Sequence, residues 1–147
     1  GRAGVALMYK RILVPVEHSD ADRTIITHVQ PLARMCGATL VLLHVADGWA
    51  ARAYDELQLR DSSEIRDDRA YLDQLEGELR AQGFIVESRL AMGDPAAEIV
   101  KAVESEHADL VAMATHGHGF VKDILLGATA DKVRHQLTVP VLLLQAH

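Results

Sequence analysis

Short, almost uninterrupted apolar runs alternate along the chain with longer segments in which apolar residues recur at helical spacing. The five apolar runs are Lys10 to Val16, Ala38 to Ala46, Phe84 to Met92, Ala108 to Ala114 and Thr138 to Ala146. Runs of this length, rich in aliphatic residues, are typical of strands that are buried on both faces of a parallel sheet. The pattern therefore predicts five strands.

The segments between these runs predict helices, and glycines mark where two of the helices end. Apolar residues recur every three or four positions from Ile25 to Cys36, and Gly37 follows as a stop. A second, longer helix is predicted to run to about Gln82, with Gly83 after it. Both helices are amphipathic, so each should bury one face.

The later helices have their own boundary signals. Asp94 has the residue type of an N-cap and Pro95 suits the first helical position, where the missing N–H is not needed. A last helix is predicted from Ala128 to about Gln136. The polar stretch from Asp47 to about Asp61 is interpreted as a mobile connection or a frayed helix start, and whether it closes as a lid is left open.

Strands that alternate with helices predict an α/β fold, a three-layer, doubly wound, Rossmann-like parallel sheet with helices on both faces. The mixed polarity of the third run favours an edge position for that strand. For a sheet of order 3-2-1-4-5, ligands are expected beyond the carboxyl ends of strands one and four, where the strand order reverses. That crevice is walled by Pro15 to Ser19 and by Ala114 to Gly119.

Composition narrows the class of protein. The chain has 147 residues, 49% of them hydrophobic, and a net charge of −6, which suits one domain over residues 9–147 and disfavours a nucleic-acid surface. Residues 1–8 are interpreted as a leader or tag remnant. No apolar stretch is long enough for a membrane span, and we expect a cytoplasmic protein. The lone cysteine, Cys36, is expected to be a small buried hydrophobic residue.

The loop after the fourth strand is rich in glycine. Gly117 and Gly127 let the backbone approach a ligand closely, and the helix predicted from Ala128 would direct free N–H groups toward the crevice. Both features favour an anion such as phosphate. Simple turn glycines in a long connection explain the same residues, so both interpretations stay open.

Five segments together resemble the universal stress protein family over nearly the whole chain. They are YKRILVPVEHSD, ATLVLLHVAD, GDPAAEIVKAV, ADLVAMATHG and LLGATADKVRHQLTVPVLLL. The motif of the nucleotide-binding members is G-x2-G-x9-G-[ST], and its loop holds the phosphates of ATP. Here the same spacing is occupied by Ala114, Gly117, Gly127 and Ala128. The resemblance implies an adenine-nucleotide cofactor, with the ATP-binding branch as the model.

Two of the four motif positions depart from the family. An alanine at position 114 is harmless if the residue continues the strand. At position 128 the hydroxyl of the motif is replaced by a methyl group, although the backbone N–H remains and Thr129 offers a hydroxyl one residue later. Losing a charge-assisted hydrogen bond is expected to weaken binding by about tenfold or more without abolishing the site.

The resemblance also implies a role for the end of the first strand. Nucleotide-binding relatives commonly have Pro-Thr-Asp where this chain has Pro15, Val16 and Glu17. Glu17 keeps the carboxylate that can assist a Mg²⁺ on the phosphates, although a solvated acid after a strand is an equally good explanation.

Other positions match neighbours of the nucleotide in such relatives. Val45 corresponds to the position whose backbone holds the adenine, and Met113 corresponds to an apolar neighbour. Ordinary core packing explains both residue types as well. His116 matches the family's Ser-His-Gly or Thr-His-Gly turn.

The histidines raise a metal hypothesis. His18, His116 and His118 could in principle converge in the crevice. An i,i+2 pair in a loop has no fixed geometry, so this is the weaker interpretation. His44, inside an apolar strand, is expected to be a core histidine with hydrogen-bond partners rather than a ligand.

Two functions are therefore carried forward. The first is a cytoplasmic regulatory module that binds ATP, ADP or AMP between strands one and four. The second is a dimeric stress-response interaction protein of the same fold that has lost nucleotide binding. A slow phosphohydrolase, with Glu17 and His116 positioning Mg²⁺ and water, is a weaker third. In either main case, the apolar strand Thr138 to Ala146 is expected to pair with a second copy to form a homodimer.

Overall fold

The computed structural model of the chain describes residues 8–47, 54–116 and 131–146, with the side chains of residues 47, 54–64 and 116 left outside the description. Five strands and three helices have defined bounds within it. They are β1 (Arg11–Val16), α1 (Ala21–Cys36), β2 (Thr39–Asp47), α2 (Tyr54–Ala81), β3 (Ile85–Gly93), α3 (Pro95–Ser105), β4 (Leu110–His116) and β5 (Val141–Ala146). Residues 131–136 are also helical.

The five strands form one parallel sheet of order β3-β2-β1-β4-β5, which confirms the predicted topology. β3 and β5 are the edge strands. β3 bears the charged residues Glu87 and Arg89 within its length, as expected for a strand that must not pair with other chains. β5 consists of apolar residues apart from Gln145.

Two hydrophobic clusters lie on opposite faces of the sheet, so the fold has three layers. One cluster joins α1 and α2 to side chains such as Val14, Leu42 and Ala112. The other joins α3 and Val133 to side chains such as Leu13. Alternate residues of each central strand point to opposite faces, which explains why these strands are apolar at nearly every position.

The predicted helix ends are confirmed by their local geometry. Gly37 has φ 65° and donates its N–H to the carbonyls of Ala33 and Arg34, a left-handed conformation that glycine adopts without strain. At the start of α3, the carboxylate of Asp94 accepts a hydrogen bond from the N–H of Ala97 at 3.0 Å, with Pro95 at the first helical position.

Two boundaries differ from the sequence-based expectation. β4 continues to His116 because Thr115 and His116 pair with Gln145 and Ala146 of β5. β5 begins at Val141 rather than Thr138, because Pro140 lacks the N–H that a ladder needs. α2 begins at Tyr54, so part of the polar stretch after β2 is helical, which agrees with its interpretation as a helix start.

Two smaller expectations can also be checked. Cys36 is buried and unpaired at the end of α1, as expected of a small hydrophobic residue. In the part of the chain that the structure describes, no helix is long and apolar enough to cross a membrane.

Candidate functional site

The crevice lies where β1 and β4 separate. Their register contains two pairs, Ile12 with Leu110 and Leu13 with Val111. β1 pairs with β2, in contrast, along its whole length to Val16. The carboxyl-terminal half of β1 is therefore unpaired on the β4 side, and this gap is the place where ligands bind in open parallel sheets.

Two of the predicted site residues lie on the α3 face of the sheet. Met113 is fully buried within the cluster that contains α3. Val45, near the end of β2, is half-buried and packs against the same cluster. The structure therefore places these two side chains on the same face, on either side of β1.

Two other predicted residues direct their side chains to the opposite face. Val16 and Ala114 are 5% and 4% exposed and belong to the cluster under α1 and α2. Ala114 continues β4 and is paired with Leu144 of β5, so the condition under which alanine is harmless at this position is met. Pro15 is half-buried and pairs with Leu43.

The remaining predicted residues belong to the glycine loop. The backbone of His116 ends β4, and its side chain is outside the description. Gly117, Gly127, Ala128 and Thr129 lie outside the described residues, so their proposed contacts with phosphate remain predictions.

A buried carboxylate organises the loop that follows β1. Asp22, on the first turn of α1, is 2% exposed. Its Oδ1 accepts the N–H of Glu17 at 2.8 Å, and its Oδ2 accepts the N–H groups of His18 at 2.8 Å and Ser19 at 3.2 Å. The hydroxyl of Tyr71, on α2, donates to Oδ2 at 2.6 Å.

These contacts explain how a carboxylate can be buried here. Burial raises the pKa of Asp22 above its ordinary value, while the Tyr71 hydroxyl and the three amide groups act in the opposite direction. Burial, and then the hydrogen bond to Asp22, raise the pKa of Tyr71. All four described groups that hydrogen-bond to this carboxylate are donors, so the carboxylate is well matched to them.

Asp68 connects two histidines at the same end of the sheet. Its two oxygens lie 3.0 Å from Nδ1 of His18 and 3.1 Å from Nε2 of His44. Nδ1 of His44 faces the carbonyl oxygen of Val16 at 3.0 Å. Since a carbonyl oxygen only accepts hydrogen bonds, Nδ1 of His44 donates the one to Val16.

His18 has an unusual backbone conformation. Its φ is 65°, in the left-handed region that few residues other than glycine adopt readily. The imidazole stacks on the ring of Tyr71 with centroids 4.0 Å apart. These contacts, together with the bond to Asp68, hold a conformation that the residue type disfavours.

Glu17, the predicted metal-assisting residue, contacts its own loop. The Ser19 hydroxyl donates to Oε2 of Glu17 in a short hydrogen bond. Within the described ranges, no group of three or more His, Cys, Asp or Glu side chains is placed to hold a metal. His116 and His118 lie partly or wholly outside that description, so the three-histidine hypothesis is not tested, and the described partner of His18 is Asp68.

A large groove lies elsewhere, on the outer side of α1. It has a volume of about 820 Å³ and is lined by α1 residues from Arg23 to Met35 and by Leu144 of β5. It adjoins the β5 edge of the sheet rather than the gap between β1 and β4.

The family model of the universal stress proteins, described as "Universal stress protein family", matches residues 8–145. The chain belongs to the universal stress protein family. The match includes residues of all five strands of the sheet, so the family's fold applies to this chain.

Individual relatives agree with the family assignment. Universal stress protein MJ0577 of Methanocaldococcus jannaschii is 27% identical over 158 residues, covering 96% of this chain and 98% of its own. Its solved structure superposes with a TM-score of 0.84 at 28% identity, covering 95% of this chain and 98% of the other.

Two further structures share the fold at lower identity. The universal stress protein from Archaeoglobus fulgidus, solved in complex with dAMP, has a TM-score of 0.68 at 21% identity, covering 92% of this chain and 98% of its own. A universal stress protein in complex with cAMP has a TM-score of 0.66 at 20% identity, with 93% and 97% of the two chains covered.

Sequence patterns did not reveal the roles of Asp22, Asp68 and Tyr71. Asp22 stands three residues after Ser19, which suggests a helix cap, and the structure shows that its carboxylate does accept the Ser19 N–H. Nothing in the local pattern indicates that the same carboxylate also meets Tyr71, 49 residues away.

Proposed function

We propose that this chain is a regulatory module that binds an adenine nucleotide in the crevice between β1 and β4. The observation that carries the proposal is the separation of β1 from β4 after Leu13 and Val111, with Val45 and Met113 together on the α3 face. An apolar wall beside unpaired strand ends suits a flat, mostly apolar base. The glycine loop that follows β4 would supply backbone N–H groups to the phosphates.

The directions of the side chains make two departures from the family's residues, one in strand one and one in the motif, less important for binding. Val16 and Ala114 bury their side chains under α1 and α2, away from the face that holds Val45 and Met113. A nucleotide on the α3 face would meet their backbone rather than their side chains. Of the departures, Ala128 therefore remains as the one expected to weaken binding.

The relatives support the same ligand class. The proteins whose structures contain dAMP and cAMP share the fold of this chain over more than nine-tenths of its length. Both ligands contain adenine and phosphate. The proposal extends that chemistry to this chain and includes ATP, ADP and AMP as candidates.

The protein's own residues would supply few of the ligands of a magnesium ion bound with the nucleotide. Mg²⁺ prefers oxygen ligands and is commonly held by one or two carboxylates together with substrate phosphates. Glu17 could supply one such carboxylate, and Ser19 fixes its orientation through their hydrogen bond. The proposal therefore includes Mg²⁺ as a companion of bound phosphates and not as an independent site.

Thermal unfolding with a panel of nucleotides tests the proposal. ATP, ADP and AMP should each raise the Tm, and GTP at the same concentration should raise it less, because the backbone at Val45 would pair with the edge of adenine and not with that of guanine. At a hundredfold excess over Kd the stabilisation is about 2.7 kcal/mol, which corresponds to roughly 5–10 °C for a domain of this size. An unchanged Tm with every adenine nucleotide would contradict the proposal.

A second candidate is a homodimeric interaction protein that no longer binds nucleotide. The observation in its favour is the β5 edge, where Leu143 is 40% exposed and the groove along α1 opens beside Leu144. Unpaired backbone groups on an apolar edge strand favour pairing with another strand. We propose that β5 forms a two-fold dimer interface in either case, so that nucleotide binding alone distinguishes the two functions.

The proposal includes a cytoplasmic location and a role in a stress response. A cytoplasmic location agrees with a single, buried and unpaired cysteine. A role in a stress response follows from family membership alone, and a partner that responds to the nucleotide state is required for any regulatory output.

A further inference from the structure

The loop at the end of β1 is held mainly by a carboxylate from the following helix. Three successive backbone N–H groups, those of Glu17, His18 and Ser19, point at the two oxygens of Asp22. Successive amides that converge on one anion form a concave arrangement, which here is filled from within the chain. The conformation of the loop therefore depends on the negative charge of this side chain.

The geometry of His18 shows that this loop is constrained. A non-glycine residue with φ 65° is costly and persists where its surroundings determine it. Here the amide of His18 is fixed by Asp22, and its ring is fixed by Asp68 and by stacking on Tyr71. Constraints of this kind concentrate at binding sites, where they position groups before a ligand arrives.

The same loop forms one wall of the crevice. Glu17 is the first residue after β1, and Asp22 holds its amide while Ser19 holds its carboxylate. On the other side of the network, Tyr71 and Asp68 lie one turn apart on α2 and both contact the loop region. The long helix α2, which packs on β2 and β3, is thus connected to the crevice wall.

We propose that Asp22 is a positioning residue for nucleotide binding, setting the crevice wall formed by Glu17, His18 and Ser19 through its buried carboxylate. This inference rests on the proposed function, since it concerns the affinity of the same crevice. Without the carboxylate, three amides lose their shared acceptor, the left-handed conformation of His18 loses its support, and Glu17 is no longer held at the end of β1. The ligand would then have to order the wall as it binds.

The test uses Asp22→Asn, which keeps the size of the side chain and removes its charge. Asp20→Asn is the matched control, because Asp20 is exposed and makes no side-chain hydrogen bond to the helix start. Two properties of the full chain are measured for each variant, amide hydrogen exchange at positions 17–19 and the Kd for ATP. In Asp22→Asn we expect exchange at these positions to accelerate roughly tenfold or more, and Kd to weaken roughly tenfold or more.

The outcomes distinguish a role of Asp22 in positioning the crevice wall from a general loss of fold stability. The expected result is weaker binding with core amides still protected, and the control unchanged. Unchanged exchange in Asp22→Asn would show that the carboxylate does not hold the loop, and unchanged Kd with faster exchange would show that the loop does not position the site. Either result overturns the inference.

A second variant covers the case in which Asp22→Asn fails to fold. Tyr71→Phe removes one of the four donors and keeps the ring on which His18 stacks. It should weaken ATP binding by a smaller factor, and an unchanged Kd in this variant would then overturn the inference. A wild-type chain that binds no nucleotide contradicts the proposed function and the binding role of Asp22 together, whereas the exchange data still show whether Asp22 holds the loop.

Discussion

The hydroxyl of Tyr71 donates to the buried carboxylate of Asp22 at 2.6 Å, joining α2 to the first turn of α1 across 49 residues of sequence. Because the acceptor is 2% exposed and charged, this hydrogen bond is stronger than one at the surface. It also ties the helix pair on one face of the sheet to the loop beside the crevice.

Tyr71→Phe should therefore destabilise the fold. Removing a donor from a buried charged acceptor is expected to lower the free energy of unfolding by about 1–2 kcal/mol. Urea unfolding measures this change, with Tyr9→Phe as the control, since Tyr9 packs on the same cluster through its ring. A loss in Tyr71→Phe no larger than in Tyr9→Phe would show that the hydroxyl does not contribute.

The ion pair between Arg11 and Glu87 should make the free energy of unfolding depend on pH. The guanidinium of Arg11 contacts both oxygens of Glu87, at 3.1 and 3.2 Å, and this hydrogen bonding lowers the pKa of Glu87. A lowered pKa in the folded state contributes stability that is present above about pH 4.3, the ordinary glutamate value, and is lost as pH falls through the lowered value.

Glu87→Gln tests this directly. With the Glu87 side chain 34% exposed, solvent screening limits the loss at neutral pH to about 0.5 kcal/mol. The difference between wild type and variant should shrink in acid. Urea unfolding at neutral pH and in acid measures this difference. Glu104→Gln, at an exposed position on α3, is the control. A difference that stays constant with pH would exclude the ion pair as its cause.

The departure at Ala128 gives a prediction about affinity. If a hydroxyl at this position contacts phosphate, as the family motif implies, Ala128→Ser should tighten ATP binding by roughly tenfold. Ala114→Gly should change it little, because the methyl group of Ala114 is buried on the α1 and α2 face. Calorimetric titrations of the three proteins measure both effects. Tighter binding from Ala114→Gly alone would reverse the relative weight given to the two positions.

The β5 edge predicts a homodimer that one charge can disrupt. Sedimentation at micromolar concentration should show a dimer for wild type and a shift toward monomer for Leu143→Lys, since Leu143 is 40% exposed on the edge strand. Ile85→Lys is the matched control, because Ile85 is 65% exposed on the opposite edge strand, β3. A monomeric wild type, or equal disruption by both variants, would contradict an interface at β5.

Local signals in the sequence were sufficient to predict most of the fold. The apolar runs predicted the five strands, the observed strand order is the one used to locate the crevice, and Gly37 and Asp94 predicted where α1 ends and α3 begins. Strand ends that depend on a neighbouring strand were harder to predict from the sequence. β4 extends to His116 because β5 lies beside it, and that pairing is not encoded in the residues of β4.

The candidate site was predictable in position and less so in detail. Strand order places the crevice between β1 and β4, and alternation along β4 places Met113 and Ala114 on opposite faces. The hydrogen bonds that hold the crevice wall were not predicted, because Asp22 accepts them from amides of a preceding loop and from a hydroxyl on a distant helix. Side chains that meet only in three dimensions leave no periodic pattern.

Calorimetric titration of the chain, freed of any copurified ligand, with ATP tests the central claim most directly. The account predicts saturable binding with one nucleotide per chain, weaker binding of GTP, and competition by ADP and AMP. No heat of binding and no competition at millimolar ATP, ADP or AMP would contradict nucleotide binding and leave the dimeric interaction protein as the function to pursue.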